Sequence, residues 1–266
     1  MHPGSEVNKE IPDYVGRARS GLSRIGKPIL RFLTPPLYRK CPIQTWPAWM
    51  AHLHDVSVPR AVEAQSEPAP TGGANINIIF RMIDRTRSLN GDLADCGVFR
   101  GASLVAIAIY LREQNIVKTV YGFDSFHGFD DAVKYDIELR GAPAGRKFVG
   151  GFSDTSLGLV LQKAKRFGLE NIRLAPGYFR DSFARQPRDL RFCFVHLDVN
   201  LYSSYKECMQ FFYPRVVAGG IILLDEYNDP SWPGCNKAMD EFLADKPERL
   251  EAIVSDNYQK YYLIKQ

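Results

Sequence analysis

Five acids stand where they could act together: Asp95, Asp124, Asp198 and the pair Asp225-Glu226. Asp95 opens the run Asp95-Cys96-Gly97-Val98-Phe99-Arg100-Gly101-Ala102-Ser103, with glycines two and six residues after the acid. Glycine permits a sharp turn and lets a ligand approach the backbone closely. The spacing is not G-x-G-x-x-G, so a pyrophosphate cradle is disfavoured and a ligand bearing an ammonium group suits Asp95 better. A carboxylate at Asp124 can accept both hydroxyls of a ribose. Asp198, Asp225 and Glu226 would repel one another unless a cation joined them. A set offering only oxygen ligands suits a hard ion such as Mg²⁺. Such an ion can hold two adjacent hydroxyls of a substrate and make one easier to deprotonate. Helix capping is the plain alternative for Asp198 or Asp225 taken singly.

The elements that must position these acids can be read from periodicity. Ile76, Ile79, Phe80 and Ile83 recur at helical spacing, and that helix stops near Asn90-Gly91. Short apolar runs predict strands at 93–97, 117–123, 171–175, 192–197 and 220–224, and each of the acids above follows or closes one of them. Helical stretches are predicted at 102–111, 157–167, 203–213 and 237–243, and two last strands at 252–255 and 261–265 flank an Asp256-Asn257 turn. Alternating strands and helices demand a parallel sheet covered on both faces, here with an antiparallel hairpin at one edge. The fold class is therefore α/β and Rossmann-like. Its ligands belong at the carboxyl ends of the strands, where four predicted strands deliver an acid. Asp95 and Asp124 together describe a nucleoside that carries an amino acid, and S-adenosylmethionine is such a molecule. The 126–152 segment is polar and shows no clear period.

The chain has 266 residues, of which 45% are hydrophobic and 24% charged, so wholesale disorder is excluded. Its net charge of +4 sits in an N-terminal arm, since residues 1–40 hold eight Lys/Arg and three acids. We expect residues 1–70 to form a basic, Pro-containing arm or cap and residues 71–266 the catalytic domain. The arm is expected to pack on its own domain or on a partner subunit, with contact to an anionic membrane as the alternative. Gly16, Gly21, Gly26 and Pro28 weaken a continuous helix there. Five cysteines without a C-x-x-C argue against a disulfide framework or zinc knuckle and suit a reducing, cytoplasmic setting. No apolar run is long enough to span a membrane, and no signal core is present. Nucleic acid is not an expected partner; a small-molecule acceptor and a homo-oligomer are.

Six blocks occur in order: Asp-Cys-Gly-Val-Phe-Arg-Gly-Ala-Ser, Phe-Asp-Ser-Phe-His-Gly-Phe, Ala-Pro-Gly-Tyr-Phe-Arg-Asp-Ser, His-Leu-Asp-Val-Asn-Leu-Tyr-Ser-Ser, Gly-Gly-Ile-Ile-Leu-Leu-Asp-Glu-Tyr and Pro-Gly-Cys-Asn-Lys-Ala-Met-Asp-Glu-Phe. From about Asn75 onward the chain resembles the macrocin O-methyltransferase family of class I methyltransferases, several of which methylate sugar hydroxyls in antibiotic pathways. The resemblance implies a metal site at Asp198, Asp225 and Glu226. It implies donor binding by Asp95, Cys96, Gly97, Val98 and Phe99, by Asp124 and Ser125, and near Gly177-Tyr178. Gly101, Ser103, Phe126 and Asp198 are further donor-site candidates beside these blocks. The resemblance has departures. Glu226 stands where the family usually has Asp, and Asn200 replaces a common second acid. Upstream, only Thr71 matches a Thr-Met pair that helps hold the donor. The usual base histidine is missing from 130–156, which leaves His127 or Asp198 to take the proton.

The leading expectation is a metal-assisted, S-adenosylmethionine-dependent O-methyltransferase acting on a sugar or glycosylated metabolite. A nicotinamide-dependent oxidoreductase is the rival enzyme class, and it lacks its glycine fingerprint. A non-catalytic donor-binding protein is the third reading. At the sequence level Asp225 is expected to face a solvent-filled cleft and His196 to be buried.

Overall fold

The computed structural model describes residues 73–139, 141, 150–255 and 258–266. The N-terminal arm and Thr71 lie outside them. Seven helices and seven strands follow in the described residues: α1 (Gly73–Thr86), β1 (Asp92–Cys96), α2 (Ala102–Glu113), β2 (Val120–Asp124), α3 (Val133–Leu139), α4 (Leu157–Arg166), β3 (Ile172–Pro176), α5 (Phe179–Ala184), β4 (Phe192–Leu197), α6 (Tyr202–Phe212), β5 (Val216–Leu224), α7 (Pro233–Leu243), β6 (Glu251–Ser255) and β7 (Tyr258–Ile264).

The strands form one sheet in the order β3-β2-β1-β4-β5-β7-β6. β1 to β5 are parallel, and β7 runs antiparallel between β5 and β6. The order reverses between β1 and β4, which is where such sheets open a crevice for ligands. Alternate residues of the central strands feed opposite faces, as strand geometry requires. Leu93, Phe194, Ile221 and Leu223 join one core with α1, α2 and α4. Ala94, Val195, Ile222 and Leu224 join the other with α5, α6 and α7. No helix of the described residues is long and apolar enough to cross a membrane.

Several boundaries differ from the periodicity. β2 begins at Val120, not Val117, because Val117 is fully exposed and Lys118 turns away to donate to the carbonyls of Leu89 and Gly91. β5 starts four residues earlier than its apolar run, at Val216. The Gly219-Gly220 pair does not break it; Gly219 takes a positive φ of 78° and both glycines pair with Lys265. Two short helices, α3 and α5, carry no readable period. Inside the 126–152 segment α3 buries Val133 and Ile137, four residues apart, while Asp136 accepts the backbone N–H of Tyr202 at 3.0 Å. The segment's base is closed by backbone hydrogen bonds between Phe129 and Gly150/Gly151.

Candidate active site

Four backbone hydrogen bonds stitch the strand ends into one rim. Gly97 N–H donates to Phe123 O, Gly177 N–H to Asp124 O, Asp198 N–H to Cys96 O and Asp225 N–H to Leu197 O, at 2.8–3.0 Å. The rim thus joins β1, β2, β3, β4 and β5 through the residues singled out above. Gly97 is required at its position: φ is 84°, and a Cβ there would lie 1.7 Å from the Asp198 carbonyl oxygen. Gly101 also has a positive φ, and it leads into α2.

On the β1–β2 side Asp124 holds the turn. Its Oδ2 accepts the Phe99 N–H at 2.8 Å and its Oδ1 the Phe126 N–H at 2.6 Å. Burial raises the Asp124 pKa, and these two backbone bonds oppose the rise. Each carboxylate oxygen keeps a further lone pair for a ligand. Val98 and Phe126 are buried, whereas Phe99 and Tyr178 are partly exposed. The Ser125 hydroxyl closes the next turn by donating to Gly128 O. That turn presents His127, which is exposed, with Nδ1 2.6 Å from the Ser125 carbonyl. A carbonyl accepts only from N–H, so neutral His127 carries its proton on Nδ1 and leaves the Nε2 lone pair outward.

Asp95 is placed differently from what its spacing suggests. It is fully buried, with Oδ2 accepting from Ser103 Oγ and Oδ1 against His196 Nδ1, both at 2.7 Å. Ser103 and Cys96 are buried as well, so their side chains face the protein.

From Asp95 a row of alternating charge crosses four strands. Asp95 pairs in register with His196 on β4, and the β5–β7 register that matches Leu224 with Tyr261 brings Lys260 beside Asp225. Lys260 Nζ lies 2.9 Å from Asp225 Oδ2 and donates to the Asp225 carbonyl at 2.6 Å. His196 Nε2 is 3.6 Å from Asp225 Oδ1, beyond hydrogen-bond reach, so that hold is electrostatic. Burial would lower the His196 pKa, but Asp225 and Asp95 outweigh it and raise it to about 10. Burial would likewise raise Asp225, but Lys260 and His196 keep its carboxyl well below the usual range. Asp225 does border an open pocket, as expected, but its side chain is only 9% exposed and is ion-paired to Lys260.

Among the described residues, Asp198 and Glu226 have no close ion pair of the kind that Lys260 makes with Asp225. Together with Asp225 they offer carboxylate oxygens that all lie within 4.8 Å of one another. Burial, then the charge of Asp225, pushes Asp198 up to about 7. Burial, then Asp198 and Asp225, pushes Glu226 well up too. Two carboxylates strained in this way, beside a third that is ionised, are the donor set a hard divalent cation relieves, and the residues fit such an ion. Glu226 is aimed by its neighbours: Oε1 accepts the Asn200 N–H at 3.0 Å and Oε2 is bonded to the buried Tyr205 hydroxyl. Asn200, at a φ of 59°, contributes a backbone donor in place of a second acid. Lys260 and Tyr205 escaped the reading of the sequence. The signal for Lys260 was available, since it alternates with Tyr262 on the inward face of the last strand.

Residues 74–262 match the Macrocin-O-methyltransferase (TylF) family. Demethyldecarbamoylnovobiocin O-methyltransferase of Streptomyces niveus is 29% identical over 177 residues, 65% of this chain. This chain spans 65% of that relative's length, just under two thirds. The 8-demethyl-8-(2,3-dimethoxy-alpha-L-rhamnosyl)-tetracenomycin-C 4'-O-methyltransferase of Streptomyces olivaceus is 27% identical over 218 residues, 74% of this chain and 77% of its own. The solved structure of the O-methyltransferase NovP superposes with a TM-score of 0.61 at 26% identity, covering 74% of this chain and 81% of that one. The matched stretch takes in every strand end of the rim, and the chain belongs to the macrocin O-methyltransferase family.

Proposed function

We propose that this protein transfers a methyl group from S-adenosylmethionine to a hydroxyl of a sugar or glycosylated natural product, assisted by a divalent cation. One observation carries the reading. The backbone turn Gly97–Phe99 and the acid cluster Asp198–Asp225–Glu226 meet at one rim, tied by the 3.0 Å bond from Asp198 N–H to Cys96 O. One relative is by its name a methyltransferase of a rhamnosyl-tetracenomycin. The donor lies on the β1–β2 side. There the backbone of Gly97–Phe99 and the spare lone pairs of Asp124 hold it, with Ser125, Gly177 and Tyr178 around it. Asp95 serves through the turn it fixes with Ser103, since its side chain is fully buried. Asp198, Asp225 and Glu226 hold the cation, which when bound supplies charge that makes a neighbouring acceptor hydroxyl easier to deprotonate. His127 Nε2 takes the acceptor's proton; Asp198 is the alternative base. The acceptor oxygen forms its bond to the methyl carbon in line as the donor's S–C bond breaks, and the sulfonium becomes a thioether. Positioning both reactants on one rigid rim supplies much of the rate.

The test is transfer of labelled methyl from S-adenosylmethionine to a panel of glycosides, with Mg²⁺ and with EDTA. Labelled, O-methylated glycoside formed only with the cation is expected. No transfer to any glycoside refutes the reading.

A further inference from the structure

A pocket opens on the β7 side of Asp225. Its volume is about 340 Å³, within the roughly 300–1,000 Å³ range of small-molecule sites. Asp225 and Lys260 form its floor, the loop 227–229 after β5 one wall, and Gln259 and Tyr261 from the start of β7 the other. We infer that this pocket seats an uncharged sugar ring of the acceptor, a reading that rests on the proposed O-methylation.

The walls are preorganised. Asn228 sits at a left-handed φ of 67°, which Asn tolerates better than most residues. It is clamped to Asn236 by two bonds, N–H to Oδ1 at 2.8 Å and Nδ2 to Oδ1 at 2.9 Å. The Tyr227 and Tyr261 rings stand 5.0 Å apart, and the Tyr227 hydroxyl is anchored on Asp240 at 2.8 Å. These rings offer apolar surface for the C–H face of a pyranose. The polar groups match its hydroxyls. The Tyr261 oxygen accepts from Asn228 Nδ2 at 2.8 Å and from Gln259 Nε2 at 2.7 Å, and its own proton has no acceptor among the described residues. Asp229, a lining residue, caps the Ser231 N–H with Oδ1 at 2.7 Å, and its Oδ2 takes no hydrogen bond among the described residues. A phenol donor and a carboxylate acceptor on adjacent walls are what vicinal hydroxyls bind.

The charge of the pocket selects the class of sugar. Its single cation, Lys260, is committed to Asp225 through both the carboxylate and the backbone carbonyl. Asp229 adds negative charge with no lysine or arginine opposite it among the lining residues. A phosphate or diphosphate would enter this pocket against two carboxylates and find no free ammonium, whereas a neutral glycoside meets no such cost. The pocket also shares Asp225 with the acid cluster, so a ring seated there has its edge hydroxyls beside the reacting site.

The experiment uses the full chain with Mg²⁺ and S-adenosylhomocysteine, and methyl α-L-rhamnoside as the probe, with rhamnose 1-phosphate as its charged counterpart. Ligand-observed NMR is expected to show the glycoside binding at least about 10-fold more tightly than the phosphate. Tyr261→Phe and Gln259→Ala together are expected to weaken the glycoside about 10-fold while S-adenosylhomocysteine affinity stays unchanged, which reports an intact fold. No glycoside binding to the wild type, binding unaffected by the double substitution, or preference for the phosphate overturns the proposal. Methyl transfer separates the two readings. Transfer to a glycoside with an unchanged KM in the double variant sinks the pocket alone. Glycoside binding at the pocket without transfer to any acceptor supports the pocket as a sugar site and sinks the methylation.

Discussion

Lys260→Met tests the charged row most directly. Lys260 and Asp225 are each only 9% exposed and 2.9 Å apart, so the substitution leaves a buried carboxylate without its main partner. Breaking a buried ion pair from one side costs about 3–5 kcal/mol. Here the lower end applies, because His196 still stands 3.6 Å from the same carboxylate. For a body of this size about 3 kcal/mol corresponds to a fall of roughly 6–12 °C in melting temperature. Calorimetry or scanning fluorimetry in EDTA reads the fall. Two companions sharpen the test. Mg²⁺ is expected to raise the melting temperature more in Lys260→Met than in the wild type, since a cation at the acid cluster restores the missing compensation. Adding Asp225→Asn to Lys260→Met is expected to recover part of the loss, because the uncompensated charge is gone. A metal-free Lys260→Met protein melting within about 2 °C of wild type would refute the reasoning.

Gly97→Ala is expected to leave the chain insoluble or without affinity for S-adenosylhomocysteine, because its Cβ would need the Asp198 carbonyl, 1.7 Å away, to move; a soluble variant with wild-type affinity by calorimetry contradicts this. His127→Ala is expected to lower turnover by about 10²-fold with donor affinity unchanged, and near-wild-type turnover hands the base role to Asp198. Chelation is expected to abolish transfer and Mn²⁺ or Mg²⁺ to restore it. Glu226→Asp, a shorter acid, is expected to lower metal affinity because the Asn200 and Tyr205 bonds are set for the longer side chain, and retained affinity by titration calorimetry shows otherwise. Glu248 gives the pH dependence. Burial would raise its pKa, but the Tyr213 hydroxyl, the Lys265 ammonium and the Gln266 N–H outweigh it and hold it at about 2. Its folded pKa is depressed, so its stabilisation is complete above the unfolded value near 4.5 and is lost as pH falls toward 2. Melting curves between pH 5 and pH 2.5 are expected to fall less steeply for Glu248→Gln than for wild type, and parallel curves count against the argument.

The sequence by itself carried the sheet and the rim. Strands are short apolar runs, and glycines and acids at their ends mark where the chain turns, so Asp95, Asp124, Asp198 and Asp225-Glu226 could be placed at one edge without coordinates. Gly97 was legible for the same reason, since a residue type that permits positive φ is itself a conformational statement. What stayed hidden depends on partners distant in sequence. Helices α3 and α5 are too short for a period to show, and α3 is fixed by Asp136 reaching Tyr202 across 66 residues. The spacing showed Asp95 at the strand end, but nothing local reveals that it is fully buried against Ser103 and His196. Likewise Asp225 read as an open ligand until the antiparallel return of β7 brought Lys260 beside it. Residue types and their spacing decide which groups reach the rim; only the strand register decides which are already compensated there. That difference in compensation is what leaves Asp198 and Glu226, and not Asp225, with raised proton affinity.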